Sequence, residues 1–129
     1  MNIALTRDFR ETVQGRVKRD AAFRTGLLSE AIESLVSGDV TLGKELLREY
    51  INATVGFPKL AAHTKTHVKT LHQMFGANGN PTANNLFEIV AYLQHADGVR
   101  FEVRPSRPAL RQKRRPFRRD EPARVNVGG

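Results

Sequence analysis

Cysteine is absent from the 129-residue chain. Disulfide frameworks, thiolate metal sites, thiol nucleophiles and iron–sulfur clusters are therefore excluded. Long apolar runs are also missing: no stretch approaches the roughly 18 to 20 consecutive apolar residues of a membrane span, and the N-terminal segment has no apolar signal region. We therefore expect a soluble, single-domain cytoplasmic protein that is not exported by a cleaved signal.

Acidic residues are scarce relative to basic ones: 13 Asp and Glu stand against 21 Lys and Arg, which gives a formal charge of +8. Such an excess favours a polyanionic partner. Most of it lies in residues 104–129, which hold nine basic and two acidic residues, whereas residues 1–103 hold twelve and eleven. Residues 104–129 also contain four of the six prolines and few large apolar side chains. We expect a folded domain over 1–103 and a disordered Arg-rich tail over 104–129.

The tail has two interpretations. It is either a flexible, solubilising extension or a nonspecific nucleic-acid arm that contacts phosphates and is strongly salt-sensitive. The density of basic residues favours the arm, because solubility alone needs no such cluster. The tail residues predicted to contact nucleic acid are Arg111, Lys113, Arg114, Arg115, Arg118 and Arg119.

The apolar spacing predicts three amphipathic helices in the first part of the domain, over 6–19, 20–38 and 39–56. Thr6, Asp20 and Asp39 stand where side chains cap helix N-termini. Gly43, inside the third helix, is consistent with a close helix crossing. Four charged side chains of the third helix fall opposite its apolar residues and are expected in solvent: Lys44, Glu45, Arg48 and Glu49.

The next stretch contains two short apolar-periodic pieces, 57–63 and 67–75, separated by three residues. This spacing is typical of a helix-turn-helix, here over about 57–76, and the small Ala61 lets the second helix cross close over the first. No carboxylate occurs between Glu49 and Glu88. An acid-free surface is what an approach to phosphates requires, although a mildly basic, solvated helix pair is the alternative.

A final helix is predicted to begin with Asn80 or Thr82 as its cap and to end at Gly98. Beyond it, residues 99–103 alternate between apolar and charged, which predicts one short strand. A single strand is not stable alone, so it either pairs with another copy of itself or lies on the helices. The predicted architecture is a compact all-α bundle with one short C-terminal strand.

Four pieces of sequence resemble a known family. Leu60 and Ala61 form an LA pair, residues 70–76 read TLHQMFG, 79–82 read GNPT, and 85–87 read NLF. With these motifs, residues 27–103 resemble the Cro/C1-type (Xre) helix-turn-helix regulators, in particular the addiction-module antidote (antitoxin) branch. The family usually has glycine in the turn where this chain has Lys65. Either the turn is shaped differently, or Lys65 adopts a left-handed conformation while it reaches a phosphate.

The resemblance implies a bacterial, nucleoid-associated repressor that binds operator DNA as a homodimer and autoregulates its operon, with an mRNA-cleaving toxin as a further partner. The second helix of the motif would enter the major groove, where Gln73 suits an adenine edge and Lys69 a guanine edge. The expected base-reading residues are His67, Lys69, Thr70, His72 and Gln73. The expected phosphate contacts are Lys59, Lys65, Thr66, Asn78 and Asn80.

Other function classes have less support. His63 and His67 are four residues apart, but a turn separates them and no cysteine or nearby carboxylate completes a metal site. No nucleophile–base pair or phosphate-binding glycine loop is visible, so we expect no enzyme, metal or cofactor. The remaining alternative is a nonspecific RNA- or DNA-binding protein that acts through the Arg-rich tail.

Overall fold

The computed structural model describes residues 6–107 and contains no strand in this range. The chain is all-helical there, as predicted, and every predicted helix is present with its ends displaced by a few residues at most. The helices are α1 (Arg7–Arg19), α2 (Ala21–Val36), α3 (Val40–Ala53), α4 (Phe57–Thr64), α5 (Val68–Met74) and α6 (Ala83–Asp97). Within residues 6–107, no helix combines the length and the apolar character that crossing a bilayer requires.

Four of the helices begin at a residue whose side chain accepts a hydrogen bond from the first turn, which satisfies a backbone donor that has no partner inside the helix. The expected caps at Thr6, Asp20 and Asp39 are confirmed, and α6 begins at Thr82. The amide of Phe23 and then the guanidinium of Arg16 hold the pKa of Asp20 below its ordinary value of 3.8. Neither α4 nor α5 has a side-chain cap.

The core is built where α1 and α2 pack on α3 and continues to α4, α5 and α6. The expected close crossing at Gly43 is confirmed: a Cβ atom there would lie 2.6 Å from Leu35 Cδ2 and 3.2 Å from the Ala31 carbonyl oxygen. Glycine therefore sets how closely α3 approaches α2. Tyr50 and Leu47 on α3 and Leu28 on α2 are fully buried at this junction.

The prediction that Lys44 and Glu49 lie in solvent is wrong: they are 8% and 2% exposed. Both side chains have polar partners, as burial of a charge requires. Glu49 Oε1 accepts from Gln14 Nε2 at 2.6 Å, and Oε2 lies 3.9 Å from Arg10 Nε and 3.8 Å from Arg48 Nε. Lys44 Nζ donates to two carbonyl oxygens in the connection between α5 and α6. Glu45 and Arg48 are half-buried.

The strand predicted over 99–103 is not present, because within residues 6–107 no second strand offers the backbone ladder that a strand needs. The segment lies on the helices instead. The Phe101 N–H donates to Gln94 Oε1 at 2.8 Å, and the Phe101 side chain packs against the core. Residues 104–107 are exposed and have no helix or strand. Arg111, Lys113, Arg114, Arg115, Arg118 and Arg119 lie outside the described residues.

Candidate nucleic-acid interface

A three-residue turn of Lys65, Thr66 and His67 joins α4 to α5. Lys65 has φ 57° and ψ 39°, the left-handed conformation, and its N–H donates to the Ala61 carbonyl oxygen. The Thr66 N–H donates to the same oxygen at 3.1 Å. The left-handed alternative considered for Lys65 is therefore the observed one, although this conformation costs a non-glycine residue about 1 kcal/mol. The turn keeps its tight shape without a glycine.

Apolar side chains on one side of each helix hold α4 and α5 against the core. Phe57 and Leu60 of α4 and Leu71 of α5 are fully buried, as is Phe75, which follows α5 directly. The Phe57 and Phe75 rings meet edge to face, with 5.9 Å between centroids. Because these contacts use only the inner side of α5, the rest of its surface remains in solvent.

The five predicted base-reading residues are all exposed. Lys69 and Gln73 are four residues apart on α5 and Thr70 lies between them, so the three share one side of the helix. His67 stands at the start of α5. The structure gives His72 a further contact: its ring centroid lies 4.4 Å from that of Phe57, so this side chain also packs against α4.

Of the predicted phosphate contacts, Lys59, Lys65, Asn78 and Asn80 are exposed. Thr66 is part of the turn, and its hydroxyl donates to the Thr64 carbonyl oxygen at 3.3 Å. Among residues 6–107, no carboxylate forms an ion pair with Lys59, Lys65 or Lys69. The positive charges of these three lysines, which lie on α4, α5 and the turn between them, are thus not neutralised by a carboxylate of the described residues.

Sequence patterns missed the residues that fix the connection after α5. Lys44 Nζ donates to the carbonyl oxygens of Gly76 at 3.3 Å and Gly79 at 2.6 Å, and Arg48 Nη1 donates to that of Phe75 at 3.5 Å. A Cβ atom on Gly79 would overlap the carbonyl oxygens of Gln73 and Met74. The glycine-rich sequence of this connection predicted a turn. It gave no sign that a buried lysine of α3 would bind the carbonyl oxygens of that turn.

Two histidines near the helix pair, one of them considered above for metal binding, are engaged in ring contacts. His63 stacks on Tyr92 of α6 with 4.0 Å between centroids, and His72 packs on Phe57. In the part of the chain that the structure describes, no three His, Cys, Asp or Glu side chains are grouped as metal ligands would be. The His63–Tyr92 contact instead connects α4 to α6 and helps to position the helix pair.

Away from α4 and α5, an open cavity of about 350 Å³ lies among the adjoining ends of α1, α2, α3 and α6. An ion pair lines it: Arg24 Nε lies 2.8 Å from Asp97 Oδ1, and the Thr25 hydroxyl donates to Asp97 Oδ2 at 3.3 Å. Burial and then the charge of Asp97 raise the pKa of Tyr50 well above its ordinary value of 10.0. This charged cluster joins α2 to α6.

No protein-family model, curated protein or solved structure matches this chain.

Proposed function

We propose that the protein is a sequence-specific DNA-binding regulator in which α4 and α5 act as a helix-turn-helix and α5 enters the major groove. One observation supports this proposal above the others. Residues 50–87 contain three lysines, three histidines and no carboxylate, and the three lysines have no ion-pair partner among residues 6–107. A surface that approaches phosphates needs this charge pattern.

In this proposal the exposed side of α5 reads base edges. Gln73 makes a bidentate contact with adenine and Lys69 contacts guanine, each worth about 1 to 3 kcal/mol of discrimination against the wrong base. Thr70 lies between them, and His67 reaches the groove from the start of the helix. His72 has a smaller part, because its ring already packs on Phe57.

Phosphate contacts would fix the register of α5 in the groove. Lys59, Lys65, Asn78 and Asn80 flank the helix pair at the surface. The N-terminus of α4 has no side-chain cap, and backbone N–H groups at a helix N-terminus favour phosphate oxygens. Thr66 contributes least in this scheme, because its hydroxyl bonds to the turn itself.

The regulator would act as a homodimer. The seven residues of α5 reach only a few base pairs, and two-fold related half-sites are the usual way to extend such a short recognition sequence. Repression of its own operon follows if the target overlaps the promoter. Neutralisation of an mRNA-cleaving toxin is the further role that the family resemblance implies, and rescue of growth on co-expression with the neighbouring gene product tests it.

The test of the main proposal is fluorescence anisotropy with the full-length protein on labelled DNA from upstream of its own gene and on a scrambled copy. The protein should bind its own DNA at least about a hundredfold more tightly. Q73A should reduce this preference by roughly ten- to a hundredfold. K59A should weaken binding to both DNAs and flatten the salt dependence.

The matched control for these variants is K18A, which removes an exposed lysine from α1 and should leave the preference unchanged. Equal binding of both DNAs by the wild-type protein, or equal losses in Q73A and K18A, would contradict the proposal.

A second candidate is nonspecific nucleic-acid binding through residues 104–129, favoured by their nine basic and two acidic residues. The same assay separates the two functions. Binding that ignores sequence, survives Q73A and falls steeply in R114Q/R115Q would assign the function to the tail.

A further inference from the structure

The segment after α6 is fastened along one edge only. Gln94 holds it twice: its carbonyl oxygen accepts from the Val99 N–H at 3.0 Å, and its Oε1 accepts from the Phe101 N–H at 2.8 Å. Successive backbone groups of an extended segment point to opposite edges. The other edge carries the N–H and C=O groups of Arg100 and Glu102, and none of these four groups has a hydrogen-bond partner among residues 6–107.

The side chains of this segment alternate in the same way. Val99 and Phe101 are half-buried, whereas Glu102 is exposed and the Arg100 side chain is 83% exposed. The guanidinium groups of Arg100 and Arg104 lie 3.6 Å and 3.0 Å from the Glu102 carboxylate. Contacts between side chains two residues apart are those of one face of a pleated strand. The segment thus presents a strand edge without a partner strand.

We propose that this edge pairs with the same edge of a second copy of the chain, in an antiparallel two-stranded ribbon centred on Phe101. This inference deepens the proposed function and rests on it, because the proposed DNA-binding regulator requires a second copy of the chain. The ribbon would supply the homodimer contact and cover Val103, which is 89% exposed.

Charge selects the register. With Phe101 facing Phe101 of the second copy, Arg100 faces Glu102 and Val99 faces Val103, so that opposite charges and apolar side chains meet. A ribbon centred on Glu102 would set the two Glu102 carboxylates against each other and Arg100 against Arg104. An intermediate register, centred between Phe101 and Glu102, would set Phe101 of one copy against Glu102 of the other. The apolar face of one strand would then lie beside the charged face of its partner.

Hydrogen bonding agrees with this register. Facing residues in an antiparallel pair alternate between those that exchange two backbone hydrogen bonds and those that exchange none. Phe101 belongs to the second kind, because its N–H is already bound to Gln94. Arg100 and Glu102 of the second copy then exchange both of their bonds, which uses the backbone groups that lack partners. Phe101 also joins the ribbon to the core, which matters because an isolated two-stranded ribbon is marginal in water.

The absence of cysteine allows a direct test in the full-length chain. V99C and V103C are prepared separately, mixed and mildly oxidised, and disulfide dimers are measured by non-reducing electrophoresis and mass spectrometry. In the proposed register, Cα of residue 99 lies about 4.5 Å from Cα of residue 103 in the second copy, within disulfide range. Two copies of residue 103 lie about 14 Å apart.

The mixture should therefore form a disulfide that joins position 99 of one copy to position 103 of the other, and each variant alone should not cross-link. V36C, which places the thiol at an exposed valine of α2, is the control partner for V103C. Cross-linking of V103C alone, or of V36C with V103C, at the rate of the mixture would overturn the register.

Charge exchange is the second measurement, with dimer dissociation followed by sedimentation equilibrium and folding checked by circular dichroism. R100E should weaken the dimer about tenfold, and R100E/E102R should restore it because the facing charges are again opposite. Heterodimers of R100E with E102R should likewise be restored.

The proposal would be overturned if the wild-type chain remained monomeric, even if a different protein bound to this edge. It would also be overturned if the R100E dimer were as stable as the wild-type dimer. These measurements are made without DNA, so the ribbon dimer and the DNA-binding function can be refuted independently of each other. Operator binding by a dimer that is insensitive to R100E would overturn the ribbon alone, and a ribbon dimer without DNA preference would overturn the regulatory function alone.

Discussion

Two regions of the molecule use charge in different ways. The first is the frame, defined as α1, α2, α3 and α6, and the second is the helix pair α4 and α5. In the frame, residues 6–49 hold eight basic and eight acidic residues, Arg24 pairs with Asp97, and every helix has a side-chain cap. The helix pair has lysines without carboxylates and helices without caps. Charges that are compensated inside the frame stabilise the fold, whereas those of the helix pair remain available to an external anion.

The two regions meet at the connection between α5 and α6, so the largest effect is expected there. Gly79→Ala would place a Cβ atom on the carbonyl oxygens of Gln73 and Met74. The backbone cannot yield as a flexible side chain does, and we expect the free energy of unfolding to fall by about 3 kcal/mol. Urea denaturation measures it.

Gly26→Ala in α2 is the control for this prediction, because nothing lies within 4 Å of a Cβ atom there. It should raise stability by about 0.5 to 1 kcal/mol, since alanine is the better helix former. Equal effects of the two changes would show that the connection adapts and does not fix α5.

Exchanging lysine for methionine in each region sharpens the comparison. Lys44→Met removes the buried donor to Gly76 and Gly79 and should lower stability by about 2 kcal/mol, because carbonyl oxygens lose their partner. Lys69→Met, at an exposed position of α5, should change stability by less than about 0.5 kcal/mol and weaken DNA binding instead. Denaturation and anisotropy on both variants check this, and the reverse pattern would contradict the division into frame and helix pair.

The smallest effect concerns alkaline stability of the frame. Burial and the Asp97 charge raise the pKa of Tyr50 in the folded protein, whereas in the unfolded chain the phenol releases its proton near its ordinary value of 10.0. Above that pH the folded state binds more protons than the unfolded chain, so this stabilisation is complete below pH 10 and falls as the pH rises from 10 towards the raised pKa of the folded state.

Tyr50→Phe should therefore lose less stability than the wild-type protein between about pH 9 and 11. Denaturation midpoints over this range measure the difference. Parallel curves for the two proteins would show that Tyr50 ionises in the folded state as it does in the unfolded one.

Local signals in the sequence predicted the helices well, because a cap such as Asp20 or Asp39 and the apolar spacing that follows act within one element. The placements of Lys44 and Glu49 were wrong because the pattern assigns charged side chains to solvent, and their partners come from distant parts of the chain. The exposure of Lys69 and Gln73 followed from the same spacing that buries Leu71. The ring contact between His72 and Phe57 depends on tertiary packing and had no sequence signal.

Lys65 shows that folding and binding can oppose each other at a single position. It is the one non-glycine residue with positive φ among residues 6–107, and glycine would adopt that conformation without the cost of about 1 kcal/mol. A chain selected for stability alone would have little reason to keep lysine there. Under the proposed function the charge of Lys65 at the turn favours phosphate contact at the expense of stability, which is a trade-off between stability and activity. Variation at this position among related sequences would therefore show which of the two has been under stronger selection.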